Sequence, residues 1–277
     1  MPIPRIIAFF ALMLISAHAA NAQDWLDIVE YKTIADGKNL ELHICYPQGH
    51  TPDDKSPAVI FFFGGGWRGG KPGQFYPYII DLAKQGVVGI SAEYRTKSSH
   101  GVSPVECVKD AKSAVRYVRE HAAEMGIDPN RIIAAGGSAG GHVAACTAIS
   151  DAPEESGENL AISSRPEALI LINPVISTGP EGYAHGYVTA SIADWQSISP
   201  LHRVDGMPPT LLQTGEDDTT TPLPLQVQFQ EQMETAGQRC DLVIYQGAGH
   251  GFFNKPEFQP EAKEQINTFL RSLGYMN

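Results

Sequence analysis

The sequence predicts an α/β protein built on a mostly parallel sheet of about eight strands, with helices on both faces. Three observations carry this. Short apolar runs recur along the chain and alternate with segments of helical periodicity. Several of those runs are continuously apolar, as expected of strands covered on both faces. Hydrophobic residues make up 43% of the 277 residues and charged residues 18%, enough apolar material for a large core.

The first segment is a separate object. Arg5 supplies a positive start, Ile6 to Ile15 is an apolar stretch too short to span a bilayer, and Ala20-Asn21-Ala22 places small residues where a signal peptidase reads. Residues 1–22 therefore read as a signal peptide, with a membrane anchor as the competing reading. The expectation is a secreted or periplasmic mature chain, residues 23–277, forming one catalytic domain with no stable membrane insertion.

Ile28 to Ile34 and Leu40 to Tyr46 alternate as half-buried strands around an Asp36-Gly37 turn. Continuous runs follow at Ala58 to Phe63, Val87 to Ile90, Ile132 to Ala135, Ala168 to Ile172, Thr210 to Leu212 and Leu242 to Tyr245. The clearest helix runs from Ser103 to about Glu124, with Val105, Val108, Ala111, Val115, Val118 and Ala122 on one face. Ser103-Pro104-Val105-Glu106 gives it an N-cap, a first-turn proline and a capping-box glutamate. Other helices start near Gly73, Ala139, Pro222 and Pro260. Ser177 to Ser199, rich in Gly and carrying Tyr183, Tyr187 and Trp195, breaks this rhythm. It follows a strand, so it emerges at the carboxyl edge of the sheet and reads as a short cap or a loop pinned by its aromatics.

Charge and cysteines bound the partners. There are 31 acidic against 20 basic residues, a net charge of −11, and no basic run, which argues against nucleic acid. Cys45, Cys107, Cys146 and Cys240 show no CxxC or metal-like spacing, and each lies in or beside an apolar segment. Buried free thiols and at least one disulfide both remain open. No HExxH or clustered Cys/His pattern calls for a metal, and no cofactor is expected.

One constellation carries chemistry. Gly136-Gly137-Ser138-Ala139-Gly140 fits G-x-S-x-G between an apolar strand and a helix-compatible segment. A serine there sits on a turn so sharp that neighbouring side chains would collide with backbone, hence the glycines. Its hydroxyl needs a base, and the base needs an orienting acid. Glu216-Asp217-Asp218 follows one late strand, and Gly249-His250-Gly251 follows the last. Both belong on the same rim as Ser138. Phe63-Gly64-Gly65-Gly66-Trp67 ends an earlier strand, where the amides of Gly65 and Gly66, with that of Ala139, can form an oxyanion hole. Trp67 and Trp195 are candidate substrate contacts.

In these motifs, from about Ala58 to His250, the chain resembles the α/β-hydrolase superfamily. The resemblance is to its secreted esterases, related to hormone-sensitive-lipase-like enzymes and to bacterial acetyl xylan or feruloyl esterases. It implies the α/β-hydrolase fold with a short cap insertion. It also selects Asp218 as the acid, through G-x-x-D-x-x-x-P from Gly215 to Pro222, with Asp217 as the alternative. Two positions depart from the family: Phe63 stands where its oxyanion loop usually begins with His, and Gly137 where relatives often carry Asp. The implied activity is a serine esterase acting on a small-molecule or oligosaccharide ester, an acetylated or feruloylated carbohydrate. A serine peptidase of the same fold, or a binding protein on a hydrolase scaffold, are the alternatives.

Overall fold

The computed structural model describes residues 26–34 and 37–276. The expected signal peptide and Asp36 of the first turn lie outside the described residues; Gly37, at φ 76°, does turn the chain there. The strands are β1 (Asp27–Thr33), β2 (Asn39–Cys45), β3 (Ser56–Phe62), β4 (Val88–Ala92), β5 (Ile127–Gly137), β6 (Ala168–Ile172), β7 (Thr210–Gly215) and β8 (Cys240–Tyr245). They form one sheet in the order β1-β2-β4-β3-β5-β6-β7-β8. β1, β2 and β4 pair antiparallel, and every pairing from β4 through β8 is parallel. Each apolar run of the sequence falls in a strand, and the continuous runs of β3, β4, β5, β6 and β7 are buried in the interior of the sheet, whereas that of β8 lies at its edge, half-buried and with Ile244 exposed.

The helices are α1 (Tyr76–Ala83), α2 (Lys97–His100), α3 (Pro104–Glu120), α4 (Ala139–Thr147), α5 (His185–Thr189), α6 (Leu223–Thr235) and α7 (Gln259–Ser272). α3 has the expected capping box: Ser103 Oγ accepts the Val105 amide and Glu106 accepts the Ser103 amide at 2.9 Å. The β3–α1–β4 crossover steps toward β1, whereas those through α3, α4 and α6 step toward β8. Right-handed crossovers therefore put α1 on one face and α3, α4 and α6 on the other. Among the described residues no helix is long and apolar enough to cross a membrane.

The parallel arrangement brings the carboxyl ends of β3, β5, β7 and β8 to one rim, where Gly64, Ser138, Asp218 and His250 follow them. The 177–199 segment leaves the same rim after β6; only α5 and a short 3₁₀ turn at Trp195–Ile198 are regular in it. All four cysteines are free and buried, so the thiol alternative is the one the structure adopts.

Candidate active site

Ser138 lies between β5 and α4 at φ 56°, ψ −122°, a backbone region that side-chain-bearing residues rarely occupy. The strain lifts its hydroxyl off the end of the sheet. Glycines on both sides are required by contact: a Cβ on Gly140 would lie 2.5 Å from the Phe63 carbonyl oxygen. One on Gly137 would meet the ring of Phe253, 2.8 Å from Cε1.

His250 Nε2 is 2.9 Å from Ser138 Oγ, and its Nδ1 is 2.8 Å from Asp218 Oδ2. The Asp218 carboxylate is wholly buried and used on all sides. Its Oδ1 accepts the amides of Thr220 (2.8 Å) and Thr221 (2.9 Å), and its Oδ2 accepts the Thr221 hydroxyl at 2.8 Å. Burial alone would raise the carboxyl, but the bonds from His250 and Thr221 outweigh it and hold the group below the usual carboxylate range. An ionised acid at Nδ1 favours the tautomer that leaves Nε2 free to accept a proton from a hydroxyl. Asp217, one residue earlier, points to solvent. The family spacing thus selects the residue that the geometry joins to His250.

A cavity of about 290 Å³ opens over Ser138, lined by Gly64, Gly65, Gly66, Gln74, Tyr183 and His250 with neighbouring residues of the last loop. Gly65 and Gly66 both have positive φ, 133° and 61°. Ala139 is the first residue of α4, so its amide has no partner within the helix.

Neither tryptophan lines this cavity. Trp67 has no exposed surface, because its indole turns inward and donates to His142 Nδ1 at 3.2 Å. Trp195 is half-buried and packs edge-on against His185 and His202. Both are packing residues beneath or beside the site, which corrects the expectation that they contact substrate. In their place the 177–199 segment presents Tyr183, and the 3₁₀ helix before α1 presents Gln74. Gln74 lies in a segment the sequence marks only as a helix start, and nothing in it announces a cavity wall.

The structure also answers how Phe63 serves at the head of the glycine loop. Its ring stacks on Tyr94, centroids 4.2 Å apart, and the Tyr94 hydroxyl donates to the Phe63 carbonyl at 2.6 Å. Gln74 Oε1 accepts the Gly64 amide at 2.7 Å. Packing and two hydrogen bonds brace the loop.

An eight-stranded sheet of this order, with a strained serine on the β5–α4 turn facing a histidine and a buried aspartate, defines an α/β-hydrolase. Residues 42–178 match the BD-FAE family and residues 175–274 the prolyl oligopeptidase family. The solved structure of Thermogutta terrifontis esterase 2 with propionate is 39% identical; the match covers 92% of this chain and 97% of that one at a TM-score of 0.86. The chain belongs to the esterases of the α/β-hydrolase superfamily. More distant relatives include the carboxylesterase NlhH of Mycobacterium tuberculosis, 28% identical over 79% of this chain and 74% of that protein. A probable isoprenylcysteine alpha-carbonyl methylesterase of Arabidopsis thaliana is 28% identical over 70% of this chain. The chain spans about half the length of such plant relatives, 45% in that case.

Proposed function

We propose that this protein is a serine carboxylesterase of short acyl esters that works through Ser138, His250 and Asp218. The observation that carries the reading is the unbroken series from Ser138 Oγ to His250 at 2.9 Å and from His250 to Asp218 at 2.8 Å. Ser138 Oγ attacks the ester carbonyl carbon as its proton passes to His250 Nε2, and Asp218 stabilises the imidazolium. The amides of Gly65, Gly66 and Ala139 hold the tetrahedral oxyanion, with the N-terminus of α4 adding its dipole. His250 then protonates the departing alcohol, and water repeats the sequence on the acyl-enzyme.

Substrate follows from size. A cavity of about 290 Å³ beside Ser138 suits an acyl group of a few carbons better than a long chain. The Thermogutta esterase has been captured with propionate and with butyrate, which supports the same range here. A short acyl group is compatible with an acetylated carbohydrate, met outside the cytoplasm if residues 1–22 act as a signal peptide.

The prolyl oligopeptidase match over residues 175–274 favours a peptidase as the second reading. That stretch carries Asp218 and His250, which ester and amide hydrolysis share, so it does not separate the two. Rates on p-nitrophenyl acetate, acetylated xylan and aminoacyl p-nitroanilides, each beside Ser138→Ala, are the test. The expected result is acetyl-ester turnover lost in the variant and little anilide cleavage. Equal rates in wild type and Ser138→Ala would overturn the mechanism, and faster anilide than acetyl-ester cleavage would overturn the esterase assignment.

A further inference from the structure

His142 lies one helical turn beyond Ser138, fully buried, and its amide donates to the Ser138 carbonyl at 3.0 Å. Both ring nitrogens are engaged. Nε2 is 2.7 Å from the Ile198 carbonyl, which can only accept, so Nε2 carries the proton. Nδ1 is left with a lone pair, and the Trp67 indole N–H donates to it at 3.2 Å. Burial, opposed in part by the Ile198 carbonyl, pulls the imidazole down to about 4, so the ring is neutral at pH 7. The two rings meet edge-on, centroids 4.9 Å apart.

What this bond restrains is the residue beside Gly66. Trp67 has φ 60° directly after Gly66 at 61°, so two successive residues are left-handed and one of them carries a large side chain. That conformation persists only where the surroundings hold it. The surroundings that hold it are the buried indole with its one side-chain hydrogen bond and, on the backbone, the Lys97 amide, which donates to the Trp67 carbonyl at 3.0 Å. An apolar residue at 142 would fill the same space without desolvating an imidazole, yet it would leave a buried indole N–H unpaired.

We propose that His142 is a further positioning residue of the oxyanion loop, beside Tyr94 and Gln74, holding the Gly65 and Gly66 amides in register with Ser138 through Trp67. The link is short and rigid. It runs from the Ser138 elbow along one turn of α4 to His142, across to Trp67, and back one residue to Gly66. The Ile198 carbonyl ties the 177–199 segment to the same ring, so three segments of the rim meet at one imidazole. This inference rests on the oxyanion-hole reading given above.

The experiment compares Trp67→Phe, His142→Leu, His142→Gln and the double variant Trp67→Phe/His142→Leu with wild type on p-nitrophenyl acetate, with Ser138→Ala as the zero and melting temperatures throughout. Trp67→Phe and His142→Leu each lower kcat about 10- to 100-fold while KM stays within about twofold, because the loss falls on the transition state. The double variant is no worse than the poorer single, since both remove one bond. Gln, which can accept from Trp67 and donate to Ile198, restores most of kcat. Should His142→Leu not fold, Trp67→Phe and His142→Gln decide. Ser138-dependent turnover with an unchanged kcat in Trp67→Phe overturns this inference alone, as does a melting-temperature loss without a kcat loss. Turnover that survives Ser138→Ala overturns the functional reading and this inference with it.

Discussion

Replacing Gly140 by alanine should disable the site while leaving the fold nearly intact. Gly140 is the second residue of α4 and passes directly under the end of β3. A Cβ there would lie 2.5 Å from the Phe63 carbonyl oxygen and 2.6 Å from the Phe62 carbonyl carbon, closer than the 3.0 Å below which real Cβ atoms are essentially never found. Relief requires a shift of at least half an ångström, and the obstacles are backbone atoms that cannot rotate away. What moves is either Ser138 with the start of α4 or the Phe63–Gly64 segment that heads the glycine loop. A displacement of this order at a reacting centre costs roughly 10- to 100-fold in rate.

Stability follows a different balance. Overpacking a tight contact costs about 1–3 kcal/mol. Alanine in place of glycine inside a helix returns about 1 kcal/mol. The net is between nothing and about 2 kcal/mol, a fall of several degrees in Tm. The assay is kcat on p-nitrophenyl acetate alongside thermal melting, with Gly186→Ala as control, because a Cβ at Gly186 meets nothing within 4 Å. Gly140→Ala with wild-type kcat would refute the reasoning, since the glycine would then not be what sets the distance between nucleophile and loop.

Three other outcomes are expected. Asp218→Asn lowers kcat by about ten-thousandfold through the wrong histidine tautomer, whereas Asp217→Asn, at an exposed side chain, leaves kcat within about twofold; equal losses in steady-state assays would reassign the acid. Burial works against the Glu155 carboxylate, but Lys32 and Arg95, each 2.7 Å away, pull its pKa down to about 2. A depressed acid stabilises the fold above its ordinary pKa and loses that contribution as pH falls to the folded value. Glu155→Gln should therefore lower Tm at pH 7, and melting curves should show the gap closing between about pH 4 and pH 2; a gap independent of pH would count against the ion pairs. Finally, burial raises the thiols of Cys45, Cys107, Cys146 and Cys240, so a thiol reagent should titrate almost none in the native protein and four after denaturation.

The strands were legible because each carries its own signal. A run such as Ala168–Ile172 can be buried on both faces only inside a sheet, and its observed limits coincide with the run itself. Limits fail where a bulge of polar residues interrupts a strand. β5 begins at Ile127, five residues before its apolar run, because Ile127 pairs with Ser56 while Ala58 pairs with Ile132, so Asp128, Pro129, Asn130 and Arg131 bulge out between them. The strand order was not legible at all. β4 sits between β2 and β3, an antiparallel neighbour on one side and a parallel one on the other, and no local pattern encodes a partner.

The same division runs through the site. Ser138 and His250 stand in turns whose backbone demands leave glycines in the sequence, so their positions could be read without knowing what they touch, whereas Asp218 was told from Asp217 only by the spacing of the family resemblance. The tryptophans could not be placed that way. An aromatic residue next to a glycine loop is equally consistent with a cavity wall and with a buried prop, and only the direction of the side chain separates the two. For Trp67 that direction is set by the lone pair of His142, 75 residues further along the chain. For the loop itself the props are Tyr94 and Gln74, one from the end of β4 and one from the turn before α1, each acting on a single backbone group. Groups that perform a reaction are constrained by chemistry, and few residue types satisfy it. Groups that hold those reactants in place need only a hydrogen bond of the right length from whichever element passes nearby. Substitution at Phe63 should therefore be tolerated wherever Tyr94 and Gln74 still reach the loop.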